Sequence, residues 1–599
     1  MIDINQTADQ WAEKLAALRQ EMTQQNLAGF IVPMADEYQN EYVPPSARRI
    51  EYLTGFTGSA GVVVVLQDQA AFFTDSRYTL QAAAQVPAAL YTLFDSAEKT
   101  PRDWLAAILP SGARFGYDAW LHAVAGVERL REALPAITLV PVIKNPLDAI
   151  WLNRPLPPAP PIVLHGVDYA GQESSSKRNK IAMELARKNI AALIISDPTS
   201  IAWLLNVRGS DVPHTPLPLS FAIMRADATV DWFVDPRKTT PALLAGLGQD
   251  IHVHAPDDFI PMLQQWGQQK SSVQLDPNLC SAAIADCLIA AGAVLVRADD
   301  PCALPRACKN TTEQNGMRDA HQRDAVALVQ FFSWLAAQPA GTVSELQAEA
   351  ELEACRQRQP LYCEPSFATI AGSGAHGAIV HYRATQESNR VAQAGELFLI
   401  DSGGQYRDGT TDVTRTVAIG TPTAHMREHY TRVVKGHIAL AAIRFPVGTS
   451  GAELDILARQ FLWQVGLDYG HGTGHGVGCY LSVHEGPQGI SRRSRVVLQT
   501  GMVLSNEPGF YLAGQYGIRF ENLMLVTEAA IPSGGTIPML GFETLTLVPL
   551  ERSLLQLDLL TASEIAWINA YHARVCSVVA DQLNASEQAW LFAQTAPLP

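Results

Sequence analysis

The feature that most constrains this chain is a set of five potential metal ligands that local sequence cannot bring together. Asp401 sits in Leu399-Ile400-Asp401-Ser402-Gly403-Gly404, and Asp412 in Thr411-Asp412-Val413-Thr414-Arg415-Thr416. His475 lies in Gly472-Thr473-Gly474-His475-Gly476-Val477-Gly478, ahead of His484-Glu485-Gly486-Pro487. Glu507 and Glu521 follow, in Ser505-Asn506-Glu507-Pro508-Gly509 and Ile518-Arg519-Phe520-Glu521-Asn522. Any fold that gathers them creates a pocket with four carboxylates and one imidazole. Such groups a few Å apart cannot all stay ionised without cations. Two divalent ions would supply the matching charge. Oxygen-rich ligation with a single imidazole and no thiolate favours Mn²⁺, although Zn²⁺ or Co²⁺ could also occupy it.

The chain has 599 residues, too many for one core, and a prior of one domain per ~150 residues suggests three or four. Its net charge of -15 argues against nucleic acid or an anionic membrane as the main partner. The start, Met1-Ile2-Asp3-Ile4-Asn5-Gln6, has neither a basic region nor an apolar core. No uninterrupted run of about 18 apolar residues occurs, so the expected location is the cytoplasm. Cys280, Cys287, Cys302, Cys308, Cys355, Cys363, Cys479 and Cys576 form no CxxC pair, which points to buried or idle thiols.

The first 300 or so residues read as one unit written twice. In the first copy an amphipathic helix over Trp11 to Met22 precedes the strand Gly29-Phe30-Ile31-Val32. Ile50 to Gly55, the strand Val62 to Val65, and Phe72-Phe73-Thr74-Asp75-Ser76-Arg77 follow. The second copy runs through a helix with Ile181 and Leu185, the strand Leu193 to Ile195, Ile201 to Leu204, Phe221 to Met224, and Trp232 to Arg237. Two α/β domains of one kind explain this order. Asp75/Arg77 and Asp235/Arg237 correspond, and an Asp-x-Arg after a strand is expected to make a turn and a surface pair. Neither copy clusters His or Glu, so both suit scaffolding or regulation.

The proline-rich stretch Arg154 to Pro161 reads as a stiff spacer and sets domains at 1–155 and 156–305. Residues 306–599 form the third. There Glu313 to Gln338, Thr423 to Ile443 and Ala452 to Val465 read as helices. Glu396 to Ile400, Thr411 to Ile419 and Gly517 to Val526 read as strands of a largely antiparallel sheet in an α+β domain. A hairpin turning about Tyr406 and Arg407 would set Asp401 and Asp412 roughly opposite each other. The alternating glycines would free the backbone to hold His475 at an unusual angle and let substrate approach. No Lys-Ser/Thr follows them as a phosphate loop requires, and neither His-Glu-x-x-His nor Gly-x-Ser-x-Gly occurs.

These motifs, with Val483-His484-Glu485-Gly486-Pro487, resemble aminopeptidase P. More closely, the chain is similar to the long three-domain form of the Xaa-Pro aminopeptidase family over nearly its whole length. The resemblance implies two creatinase-like α/β N-terminal domains and a pita-bread catalytic domain. It also implies two metal ions, usually manganese, and removal of a residue that precedes proline. It makes Asp401 a bidentate ligand of one metal and Asp412 and Glu521 bridges, with His475 and Glu507 completing the second site. His381, in Ala378-Ile379-Val380-His381-Tyr382, and His471 and His484 match active-site positions. His381 and His484 are expected to bond the substrate carbonyl or tetrahedral intermediate, and Arg519 to orient carboxylates.

A water bridging two such ions has a pKa lowered towards ~7, so hydroxide is available to attack the first residue's carbonyl. Glu507 is the expected proton shuttle. The substrate's α-amino group is expected at Asp401 or the metal beside it. The stretch from about Ser553 to Pro599 resembles the family's C-terminal extension, suited to packing or to contact within a homodimer. Prolidase would share the five ligands but cut dipeptides. Methionine aminopeptidase leaves the N-terminal half unexplained, and a non-catalytic peptide-binding module would be favoured only if the ligands were broken.

Overall fold

The computed structural model describes residues 8–599; Met1 to Gln6, read above for a leader, lie outside them. Of the described residues, the first compact unit comprises 8–166 and 172–302, and the second 167–171 and 303–599.

The first unit holds two six-stranded sheets. In one, Gly29–Pro33 pairs antiparallel with Val62–Leu66 and parallel with Arg114–Tyr117. Ala70–Thr74, Thr92–Asp95 and Thr138–Pro141 extend the two edges. The other repeats this order: Ala192–Ile195 is antiparallel to Phe221–Arg225 and parallel to Ser272–Leu275, with Val230–Phe233, Ile251–His254 and Val294–Arg297 outside them. Same order and same sense are what a doubled sequence pattern should give. The first helix runs Ala8–Gln24, burying Leu15, Leu18 and Met22 at the i, i+3, i+7 spacing of one helical face. Asp75 and Asp235 each accept the backbone N–H and the guanidinium of the arginine two residues on, the expected turn pairs. All eight cysteines are free thiols.

In the second unit the long helix Thr311–Ala337 starts at a capping box, Asn310 with Glu313, which satisfies N–H groups that a helix start leaves open. The helices Ala424–Ala441 and Gly451–Trp463 bury Tyr430, Val433, Val434, Ile438 and Leu462 in one core with Ile518 and Phe520. The C-terminal extension contributes helices Ala562–Val579 and Ala585–Thr595, whose Ile568, Val575 and Leu591 enter the same core.

Every strand pair of this unit is antiparallel, but the strands divide among small sheets that end at the candidate ligands. The Asp401 strand, Glu396–Ser402, lies between Ile370–Ser373 and Val413–Ile419. Val503–Asn506 pairs with Asn522–Val526, and Gly509–Leu512 with Tyr516–Arg519. The segment read as one strand from 517 to 526 is therefore two, broken at Phe520-Glu521.

The hairpin reading also needs correcting. Asp401 faces Thr414, not Asp412, which lies just before the strand begins. Residues 403 to 411 leave the sheet: Gly404–Tyr406 pairs with Gly409–Thr410 and with Tyr362–Pro365. The long helix draws them away. A Cβ on Gly316 would lie 2.2 Å from the Asp408 carbonyl, and Asp324 accepts hydrogen bonds from Tyr406 Oη at 3.0 Å and Thr411 Oγ1 at 2.9 Å. Arg356 holds the buried Asp324 through Nε at 2.7 Å and Nη2 at 3.2 Å.

Candidate metal centre

Strand ends place four of the five groups. Asn506 and Asn522 are partners in register, so Glu507, one residue after the first, and Glu521, one before the second, emerge together. The Glu521 N–H donates to the Thr414 carbonyl at 3.1 Å, and Thr414 is the register partner of Asp401. The Glu507 N–H donates to the Thr473 carbonyl at 2.8 Å, which ties the glycine run to the same place.

None of the four glycines from 472 to 478 has positive φ. The expected unusual backbone angle is absent, and close approach explains two of these glycines instead. A Cβ on Gly474 would lie 2.0 Å from the Ser505 carbonyl oxygen, and one on Gly476 would lie 2.1 Å from that of Glu485. The run can therefore lie flat on the Val503–Asn506 strand, where Ser505 Oγ accepts the His475 N–H at 2.9 Å.

The result is a tight polar cluster. One ligand atom each from Asp412, His475 and Glu521 lie within 4.8 Å of one another. His475 Nε2 is 3.4 Å from Asp412 Oδ2 and 3.5 Å from Glu507 Oε1. Its Nδ1 lies 2.9 Å from the Gly476 carbonyl; donation there leaves Nε2 to face the carboxylates. Thr414 Oγ1 donates to Glu521 Oε2 at 2.8 Å, and Ser505 Oγ to Glu507 Oε1 at 3.0 Å. Arg519, 2% exposed in its side chain, donates to Asp401 Oδ2 at 2.5 Å, Tyr511 Oη at 2.7 Å and Thr414 Oγ1 at 3.1 Å. Asp401 Oδ1 is buried with no hydrogen-bond partner.

Crowding of like charge shifts these groups. Burial, then the charges of Asp412, Glu507 and Asp401, push Glu521 well above the usual carboxylate range. Asp401 is raised to about 6, burial and Asp412 outweighing Arg519. Glu507 is half-buried, and desolvation alone would raise it, yet it is held low by the positive charges of His475, His471, Arg519 and His484. Burial pulls His475 down, but its bond to Asp412 and the charge of Glu507 win, lifting it to about 9. An anionic cluster with an orphaned buried oxygen and hard donors has the chemistry of a divalent-cation site.

The remaining predicted residues ring this cluster. His484 meets the His475 ring edge to face at 4.4 Å. His471 Nε2 lies 2.8 Å from Tyr511 Oη, and burial lowers its imidazole to about 4. Its loop is held from the helix Gly451–Trp463, where Arg459 donates to the carbonyls of Tyr469 and His471, both at 2.8 Å, and Asp455 accepts from Thr473 at 2.5 Å. His381 is half-buried on the segment after the 3-10 turn Gly374–Ala378. Its neighbours Ile379 and Tyr382 pack with Ile370, Leu399 and Tyr511. Tyr511, Thr414 and Ser505 were missed by sequence reasoning. Tyr511 lies four residues after Glu507, but only the turn between the two strands brings it to Arg519.

One consequence concerns Glu349, on the helix Glu345–Gln357 near this segment. Its Oε1 is buried without a partner, and burial together with the charge of Glu345 raises its carboxyl from 4.5 to about 7. A raised folded-state pKa favours folding at low pH, and that contribution is lost as pH rises through the folded value. Glu349→Gln, neutral throughout, is therefore expected to melt above the parent at about pH 8 and level with it near pH 4.5. Melting curves that coincide at both pH values would refute this.

Comparison with known proteins gives the family. The family model "Metallopeptidase family M24" matches residues 315–528, and "C-terminal region of peptidase_M24" matches 538–598. Two "Creatinase/Prolidase N-terminal domain" models match 14–148 and 153–313. A probable Xaa-Pro aminopeptidase P of Aspergillus niger is 39% identical over 98% of this chain and 99% of its own. Aminopeptidase P2 of Arabidopsis thaliana is 37% identical over 98% of this chain and 88% of its own. The crystal structure of X-prolyl aminopeptidase from Caenorhabditis elegans, described as a cytosolic enzyme with a di-nuclear active site, superposes with a TM-score of 0.95 at 34% identity. It covers 98% of this chain and 100% of its own. With relatives of this kind matched end to end, the chain belongs to metallopeptidase family M24, within its Xaa-Pro aminopeptidase P group.

Proposed function

We propose that this protein is a two-metal aminopeptidase that removes the residue preceding proline at the N-terminus of peptides. The observation that carries the reading is the grouping of Asp412, His475 and Glu521, with Glu507 Oε1 3.5 Å from His475 and Asp401 within reach of the charges of Asp412 and Glu507, its Oδ1 buried and unpartnered. Those five residues would hold the ions, and their oxygen-rich set favours Mn²⁺. When bound, two divalent ions supply Lewis acidity, polarising the scissile carbonyl and making water acidic near neutrality.

The chain's own residues do the rest. Glu507 takes the proton of the attacking water and passes it to the proline nitrogen. His381 and His484 donate hydrogen bonds to the substrate carbonyl as negative charge develops there. Arg519 and His471, joined through Tyr511, fix Asp401, which meets the substrate's α-amino group and so enforces exopeptidase action. Prolyl bonds lack the N–H that ordinary aminopeptidases grip, so a site shaped to the ring gains what they lose. Prolidase is the less favoured reading, because the relatives matched over the full chain are Xaa-Pro aminopeptidases P.

Domain boundaries near 155 and 305 are supported by the two sheets, whose last strands end at Pro141 and Arg297. We further place the protein in the cytoplasm as a homodimer; among the described residues no helix is long and apolar enough to cross a membrane. Sedimentation of the Mn²⁺-loaded protein checks the dimer, and a monomer at micromolar concentration would reject it.

The test of function is a matched panel, Arg-Pro-Pro, Arg-Pro, Arg-Ala-Ala and Met-Ala-Ser, offered to metal-stripped protein with and without Mn²⁺. Manganese-dependent release of arginine from Arg-Pro-Pro, with little from the others, is expected. Preference for Arg-Pro would transfer the assignment to prolidase. Silence with every metal would refute an enzyme.

A further inference from the structure

Glu345 opens the helix Glu345–Gln357, directly after its cap Ser344. Carboxylates are common in a first helical turn because the helix dipole favours them there, but they are normally solvated. This one is 0% exposed. A buried carboxylate must find hydrogen-bond donors or lose its charge. Glu345 draws them from one stretch of chain: the Ser373 N–H at 2.9 Å, His376 Nδ1 at 2.8 Å, Tyr382 Oη at 2.9 Å and the Arg390 N–H at 3.2 Å. These donors bracket His381, two of them before it in sequence and two after. Tyr382 is its immediate neighbour and also packs on the His376 ring at 4.4 Å.

The same stretch rests against the site on its other side. A Cβ on Gly517 would lie 1.7 Å from the Gly377 carbonyl oxygen, so the turn Gly374–Ala378 touches the Arg519 strand backbone to backbone. Ile379 and Tyr382 pack with Leu399 and Tyr511, the first two residues before Asp401 and the second bonded to Arg519. The segment that presents His381 is thus pinned between a buried carboxylate and the strands that carry the cluster.

We propose that Glu345 is a positioning residue for the reaction: its carboxylate sets where His381 stands relative to the substrate carbonyl. The inference rests on the reading of His381 as a substrate-facing donor. Glu345 touches no reacting atom. It holds the segment from which His381 projects through two backbone N–H groups and the side chains of His376 and Tyr382, and a displacement of about 1 Å in a catalytic group can cost ~100-fold in rate.

The test is a double-mutant cycle of Glu345→Gln and His381→Ala on the Mn²⁺-loaded full chain, with Arg-Pro-Pro as substrate. Glu345→Gln is expected to lower kcat about 10- to 100-fold, with a smaller change in KM and unaltered manganese content. In the His381→Ala background the same change should cost less than about 3-fold, since nothing remains to position. Independent, multiplicative losses, or parental kcat in Glu345→Gln, would overturn the proposal while leaving His381 its role. Parental activity in His381→Ala would overturn both. Should Glu345→Gln fail to fold, Tyr382→Phe removes one donor and leaves the carboxylate. A several-fold loss of kcat, absent from the His381→Ala background, supports the proposal; no loss, or a multiplicative one, refutes it.

Discussion

Stripped of divalent ions, the protein is expected to hydrolyse Arg-Pro-Pro at least about a thousand-fold more slowly than with Mn²⁺ restored, because Lewis-acid stabilisation is worth several kcal/mol of barrier. The same titration should raise thermal stability. Burial and neighbouring carboxylates push both Glu521 and Asp401 upward, Asp412, Glu507 and Asp401 acting on Glu521, and Asp412 and Glu507 acting on Asp401, so ions that relieve the repulsion bind the folded state selectively. Free ion at about 100 times its Kd adds ~2.7 kcal/mol. Activity and melting temperature should therefore rise over one range of Mn²⁺ concentration. Activity that survives exhaustive chelation would refute the metal reading, and activation without any thermal shift would place the binding elsewhere.

Arg519→Met is expected to have the second largest effect. Among the described residues Arg519 is the only guanidinium bonded to Asp401, and it also holds Tyr511 and Thr414. Removing one partner of a buried ion pair strands the other, at about 3 to 5 kcal/mol. For the second unit this corresponds to a urea midpoint lowered by about 1 M or more in metal-free protein. The deficit should narrow when Mn²⁺ is added, because the ions then supply Asp401 with positive charge. Coincident midpoints without metal would show that Arg519 does not hold the carboxylate. A deficit that ignores Mn²⁺ would show that its loss is a packing defect.

Much of the site was legible because its chemistry is written in residue types. The carboxylate count about one imidazole demanded cations before any geometry was known, and the doubled order of strands in the first unit was visible as a doubled apolar pattern. What failed were statements about how strands meet. The hairpin pattern sets Asp401 opposite Asp412, but its partner is Thr414. Hydrophobic alternation specifies which face a residue takes and not where a strand leaves its sheet; that was decided by Gly316 and Asp324 on a helix far away in sequence. The glycine run reads as conformational freedom, yet none of its φ values is positive. Gly474 and Gly476 make room for neighbouring backbone, a need that becomes visible only once Ser505 and Glu485 are beside them.

The supporting residues follow the same division. Thr414, Ser505, Tyr511, Asp455 and Glu345 are common residue types in unremarkable local settings, and no spacing rule selects them. They matter because a buried charge must be satisfied by whatever donors or acceptors the fold delivers to it. Sequence by itself determined the candidate ligand types, the charge that calls for divalent ions, the doubled α/β half and the helices of the catalytic half, since these depend on side-chain chemistry and short-range periodicity. Only the tertiary structure decided the strand register, the breaks that turn Glu507 and Glu521 towards His475, and the buried contacts that hold them. Those depend on packing between segments distant in the chain, which residue identity alone does not encode.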